Sequence, residues 1–137
     1  QLKKNAMKNN VEKKITFYNL AVGDKKEDKE IFYDKIKHGE ASLIFNQRLK
    51  KDGVTSSEKI NVDSLDNLFK KKINGAVFLK VDVEGFEYTV LQGAKEFIKR
   101  NSPEISIEIW PSDRKKTEIF LKDLGYKHIF GELWKKE

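Results

Sequence analysis

The spacing of hydrophobic positions changes repeatedly along this chain, and each change predicts an element. Val77 to Val83 is a run of β-branched and apolar residues broken only by Lys80 and Asp82, which predicts a strand. From Phe86 the period lengthens, and Val90, Leu91, Ala94, Phe97 and Ile98 share one helical face. This helix should run to about Arg100 and end at Asn101, before Pro103. Glu104 to Trp110 then alternates, with Ile105, Ile107 and Ile109 on one face and Ser106, Glu108 and Trp110 on the other. Pro111-Ser112 opens a further helix carrying Ile119, Phe120 and Leu124, and Gly125 stops it. Tyr126 to Phe130 and Leu133 to Lys135 close the pattern as two short strands around Gly131-Glu132. Strands alternating with helices predict a parallel sheet with right-handed crossovers, to which the final tight turn adds an antiparallel strand.

The first half is less regular. Residues 2 to 9 have helix-forming composition, closed by Asn9 and Asn10. Ile15 to Val22 is apolar on both faces, the pattern of a strand covered on both sides, and Gly23-Asp24 ends it. Glu30 to Ile36 and Ala41 to Phe45 are short β-prone segments separated by His38-Gly39, followed by a polar loop through Gly53 and Ser57. Lys59 to Val62 reads as a short strand. Asp63 is the expected cap of a helix that buries Leu65, Leu68 and Phe69, with Asp66 completing a weak capping box. No linker divides the chain, so residues 1–137 are expected to form a single domain.

Composition narrows the class. At 137 residues, 38% hydrophobic and 36% charged, with nine Phe, four Tyr and two Trp, the chain is polar but aromatic enough to build one core. The absence of cysteine excludes a thiol nucleophile and Cys-ligated zinc, and two isolated histidines, His38 and His128, make no His-rich metal site. No apolar run is long enough to span a bilayer and the amino end has no signal-peptide core, so a cytoplasmic location without a membrane partner is expected. The start at Gln1 suggests part of a longer chain. The net charge of +6 is spread through interleaved Lys, Asp and Glu. Only Lys70 to Lys72 and Arg114 to Lys116 form compact basic runs. Solvated helix faces account for most of this charge, so nucleic acid is not the expected partner; a basic nucleic-acid-binding module is the alternative reading.

The candidate chemistry is acidic. By the two-residue period Asp82 and Glu84 point to one side of their strand, and Glu108 projects from the next, so three carboxylates are expected to converge at one sheet end. Such a set could accept hydrogen bonds from an amine or ribose, hold Mg²⁺, or take a proton from a hydroxyl. The bland alternative is a Lys80 to Glu108 pair that satisfies two charges between neighbouring strands. Asp82 could also cap the turn or the helix. Glu87, in a helix's first turn, is sufficiently explained by the helix dipole. Gly85 supplies a backbone conformation or a close approach. Gly93 and Ala94 suggest close packing of the helix on the sheet, and the two histidines read as surface or edge residues.

The residues LKVDVEGFEYTVLQGA, with PEISIEIW and LGYKHIF after them, closely resemble the carboxyl-terminal half of the FkbM-type methyltransferases. NLAVGD resembles the end of that family's third strand, and INVDSLDNLF the segment before its fourth. The resemblance implies an α/β class I methyltransferase fold, a Rossmann-like open sheet that is mostly parallel with an antiparallel last strand. It implies S-adenosylmethionine as cofactor and methyl transfer to a hydroxyl of a sugar, glycan or natural product, so a small-molecule or glycan acceptor as partner. Ala21 and Val22 would contact the adenine, Asp82 and Val83 would lie near the methionine part, and Glu84 and Glu108 would line the same crevice, one of them orienting or deprotonating the acceptor. The family's glycine-rich first strand and acidic second strand would precede Gln1, so the sheet is expected to be amino-terminally incomplete. Its third strand would then pair directly with the fourth or aggregate. A non-catalytic remnant of the fold is a further alternative. The 137-residue chain by itself is accordingly expected to be inactive and to bind no S-adenosylmethionine; micromolar binding in calorimetry would contradict this.

Overall fold

The computed structural model describes residues 2–34, 41–43 and 55–137. In chain order these form α1 (Leu2–Lys8), a 3-10 turn (Glu12–Lys14), β1 (Ala21–Val22), β2 (Glu27–Asp34), β3 (Ala41–Ser42), β4 (Thr55–Asp63) and α2 (Leu65–Leu68). The second half comprises β5 (Phe78–Val81), α3 (Glu87–Gln92), α4 (Lys95–Asn101), β6 (Glu104–Ile107), α5 (Arg114–Asp123), β7 (Tyr126–Phe130) and β8 (Leu133–Lys136). The expected excursion through Ile36, His38, Gly39 and Phe45, and the loop at Gly53, lie outside the described residues.

The strands form two four-stranded sheets, ordered β1-β4-β2-β3 and β5-β6-β8-β7. In the second sheet β5 and β6 run parallel from Phe78↔Glu104 to Val81↔Ile107. β8 joins β6 antiparallel, and β7 joins β8 in the same sense. The antiparallel closing strand therefore matches the sequence pattern. The first sheet has one parallel pair, β1 with β4, and two antiparallel pairs. Both sheets are thus mixed rather than one mostly parallel sheet, because each contains an antiparallel strand pair whose register is set locally.

Alternation in β5 and β6 decides which face is buried. Val81, Ile105 and Ile107 are almost fully buried together with Val90, Leu91, Phe97 and Ile98 of α3 and α4, Leu121 of α5 and Trp134 of β8. Each fully buried aliphatic side chain contributes about 1.5–3 kcal/mol. Val22, Leu65 and Phe69 pack on this cluster from the first half of the chain.

Several elements differ from the sequence pattern. Only Ala21 and Val22 of the expected strand Ile15 to Val22 form a ladder, with Val62 and Asp63. Ile15 is 39% and Tyr18 52% exposed, so the stretch is not covered on both sides. Apolar faces do not make a strand without a neighbour to bond to. Nor does β1 pair with β5: its partner is β4, and β5 pairs only with β6 among the described strands. β4 begins at Thr55 rather than Lys59, because eight registered pairs with β2, including Glu30 opposite Lys59, support a polar segment that shows little alternation of its own. The predicted helix Phe86 to Arg100 is two helices, broken at Gly93–Ala94.

That break has a steric cause. A Cβ on Gly93 would lie 2.0 Å from the Gly23 carbonyl oxygen and 2.7 Å from the Asp24 Cα. At the α3–α4 junction Gly93 therefore presses backbone to backbone on the turn after β1, whereas Ala94 is buried in the core with the sheet residues Val81, Ile105 and Ile107, as expected. The same junction accepts the Asp66 N–H at the Gly93 carbonyl (2.9 Å). The Asp66 carboxylate in turn accepts the N–H groups of Glu96 (3.1 Å) and Phe97 (2.6 Å), capping α4. α2 itself is capped by Ser64, whose hydroxyl accepts the Asn67 N–H at 3.2 Å. Asp63 braces that cap by accepting the Ser64 N–H at 2.8 Å and the Asn67 side-chain amide at 3.0 Å. Capping by Asp63 and Asp66 within one helix is thus replaced by a Ser64 cap and a tertiary bridge.

At the far end, the buried Tyr126 hydroxyl donates to the Pro103 carbonyl at 2.8 Å. Burial pushes its phenol from 10.0 up to about 12. A raised folded-state value stabilises the protein fully below the unfolded value and is lost as pH climbs through the folded one. Gly93→Ala should cost about 3 kcal/mol in urea denaturation, because backbone on both sides must move. Tyr126→Phe should cost about 1 kcal/mol at neutral pH. It should also flatten the loss of stability that the native protein shows between pH 10 and about 12.

Candidate functional site

The strand β5 ends at Val81, and the next five residues turn the chain into α3. Two consecutive residues make the turn with left-handed backbone, Glu84 at φ 52° and Gly85 at φ 98°. Glycine adopts this freely, whereas a glutamate is strained there. Beneath the turn, Glu87 is only 1% exposed, and its Oε1 accepts the N–H of Gly85 at 3.0 Å and of Val83 at 3.4 Å. Its Oε2 is buried without a hydrogen-bond partner. The helix dipole alone would be served by a carboxylate at the surface, so it does not account for this burial.

On one side of the turn, Asp82 and Val83 meet Ala21 and Val22 of β1. Together with Leu20, Ile31, Leu43 and Ile60 they line a largely apolar cavity of about 300 Å³. The four residues expected on the cofactor side are therefore neighbours, although about sixty positions separate the two pairs in sequence. Asp82 accepts a hydrogen bond from Lys80 at 2.8 Å. This bond, reinforced by the Asp82 charge, holds the Lys80 ammonium above the usual lysine range.

On the other side, Glu84 faces a second cavity of about 270 Å³, shared with Gly85, Phe86, Thr89, Trp110, Ser112, Asp113 and Lys116. The Trp110 indole packs 3.5 Å from where a Gly85 Cβ would stand. Lys116 pairs with Asp113 at 2.9 Å and sits 4.7 Å above the Tyr88 ring. Glu108 belongs to a third cavity of about 250 Å³ with Arg114, Glu118, His128, Glu132 and Trp134 among its walls.

The three carboxylates therefore do not converge, and Glu84 and Glu108 do not share a crevice. The two-residue period holds only within a strand. β5 stops one residue before Asp82, β6 stops one residue before Glu108, and the positive φ of Glu84 redirects its side chain. The expected Lys80 to Glu108 pair is likewise replaced by Lys80 with Asp82. Glu108 acts on Lys80 only as a weaker favourable charge, after Asp82 and Glu132. Trp110 and Glu87 carry more of the site than sequence spacing indicated. The signal for Glu87 was its position two residues after a glycine turn, within reach of the turn's own amides.

Among the basic runs, Lys70 to Lys72 are exposed, whereas Arg114 and Lys116 are engaged with Glu118 and Asp113. Among the described residues, no three His, Asp or Glu side chains gather as metal ligands, and no helix is long and apolar enough to cross a membrane. Replacing Asp82 by Asn should bring the Lys80 ammonium back toward its ordinary titration range, a shift that nitrogen-detected NMR of the lysine side chains would resolve.

No curated protein and no solved structure matches the chain significantly. Residues 1–128 match the family model described as the methyltransferase FkbM domain. That match covers nearly the whole chain and includes both the β1 end and the acidic turn, and so this protein belongs to the FkbM methyltransferase family.

Proposed function

We propose that the protein transfers a methyl group from S-adenosylmethionine to an oxygen nucleophile, a hydroxyl of a sugar, glycan or natural product. Membership of the FkbM family supports methyl transfer in general. The observation that carries the finer reading is the acidic turn, whose residues line two cavities with unlike linings.

The cavity on the Ala21 and Val22 side suits the donor. Ile31, Ile60 and Val22 offer apolar surface to a purine, and Asp82 offers a carboxylate to an ammonium. When bound there, S-adenosylmethionine supplies an electrophilic methyl on a sulfonium. The bond from Lys80 fixes Asp82 in direction, so an incoming ammonium meets an oriented acceptor. The cavity on the Glu84 side suits the acceptor. Glu84 orients the hydroxyl and takes its proton as the oxygen attacks, while the Trp110 face and the Ser112 hydroxyl hold the remainder of the acceptor. Glu108 is the alternative base, acting from the neighbouring cavity. Glu84 is favoured because it shares one rigid turn with Asp82.

The test uses the full-length protein, a methyl-labelled donor and a panel of monosaccharide and glycan acceptors. Glu84→Gln should reduce transfer about 100-fold with donor affinity unchanged. Asp82→Asn should weaken donor binding in calorimetry about tenfold. Transfer that is unaffected by Asp82→Asn, Glu84→Gln and Glu108→Gln would refute these assignments and favour a non-catalytic remnant. Strongly salt-dependent binding to nucleic acid would favour the basic module instead.

A further inference from the structure

The Glu87 carboxylate has no surface to serve. It is sunk to 1% exposure at the start of α3, where it leaves Oε2 without a donor and uses Oε1 to hold two amides of the preceding turn. Those amides, of Val83 and Gly85, flank Glu84 on both sides. Glu84 sits at φ 52°, a conformation that persists in a non-glycine residue only where its surroundings over-determine it. Removal of the two bonds would leave one buried and one part-buried turn amide unpaired.

Two consequences follow for the cavities. Holding Gly85 fixes the floor on which the Trp110 indole packs, 3.5 Å from the position of a Cβ. Holding Val83 and Gly85 together fixes the backbone from which Glu84 lines the cavity bounded by Trp110 and Ser112, while Asp82 and Val83 stay with Ala21 and Val22. We infer that Glu87 is the positioning residue of this site: its buried carboxylate clamps the acidic turn so that Glu84 is presented to the Trp110 cavity and separated from Asp82. The assignment of an acceptor to that cavity rests on the methyl-transfer reading; the clamp itself does not.

The decisive readout is spectroscopic. In full-length protein labelled with fluorotryptophan, Glu87→Ala should displace the Trp110 resonance, assigned by its loss in Trp110→Phe, and leave Trp134 in place. The Gly85 amide should exchange with solvent at least roughly tenfold faster. Glu87→Gln, which keeps an oxygen beneath the turn but not its charge, should restore most of the Trp110 position and most of the protection. Adding Glu84→Gly to Glu87→Ala should recover part of the lost thermal stability, because glycine needs no clamp at positive φ. Ile98→Ala, a core truncation away from the turn, should lower stability without moving Trp110. A Trp110 resonance and Gly85 exchange rate unchanged in Glu87→Ala would overturn the clamp.

If Glu87→Ala does not fold, Glu87→Met, which fills the space without an oxygen, decides: faster Gly85 exchange with a displaced Trp110 supports the clamp, and no change in either overturns it. Binding of S-adenosylhomocysteine by the wild-type protein is measured alongside. Its absence counts against the methyl-transfer reading and leaves the clamp to be judged on Trp110 and Gly85.

Discussion

The structure depends on a place where no side chain fits. Backbone at Gly93 meets backbone at Gly23 and Asp24 so closely that even a methyl group would have to displace one of them. Because a continuous helix would have to carry its own turn through that contact, α3 and α4 separate there, and Asp66 reaches across to cap the second of them. The Asp66 amide and carboxylate bind the junction from one side while the β1 turn presses on it from the other. The two sheets, which share no strand, are thereby set in a fixed relation. This contact carries the end of β1 to the end of β5 and so makes neighbours of Val22 and Asp82.

What those neighbours can do is decided within the five residues after β5. A strand that continued would place Asp82 and Glu84 on one face, where two like charges would repel each other. The left-handed pair Glu84 and Gly85 prevents this by sending Glu84 to the opposite side of the turn. Asp82 is left paired with Lys80, and Glu84 lines a cavity with an aromatic wall. One turn can then present two carboxylates to two different partners. Lys29, 5.6 Å above the Phe86 ring, joins β2 to the same turn, so the first sheet also borders it.

The legible part of the fold was the part whose elements bury one face against another. β5 and β6 were readable because Val81, Ile105 and Ile107 repeat at the strand period, whereas α5 forms but buries Thr117 and Leu121 and leaves the expected Ile119 51% exposed. β2 and β4 were read only in part, as Glu30 to Ile36 and Lys59 to Val62, because a polar strand is stabilised by its cross-strand neighbours, such as Lys59 opposite Glu30, and a neighbour distant in sequence leaves no local trace. The error at Ile15 to Val22 has the converse cause: apolar residues on both faces reported an environment, not a hydrogen-bonded partner. Ser64 shows the limit at single-residue scale. Asp63 and Ser64 are both good caps, and only the closed bond to Asn67 distinguishes them.

In the site the limit is sharper, because spacing is informative only while the backbone stays regular. Asp82, Val83, Ala21 and Val22 gather because regular elements deliver them. Glu84 and Glu108 part because each lies just beyond the end of its strand, where the alternation that seemed to align them has stopped. Glu87 was obscured differently: a carboxylate in the first turn of a helix already has an adequate explanation, and only its burial shows that explanation to be insufficient. A carboxylate buried at 1% exposure is held by the groups that donate to it. Here those are the pair of amides on either side of Glu84, and through them it fixes the backbone from which the turn presents its second carboxylate.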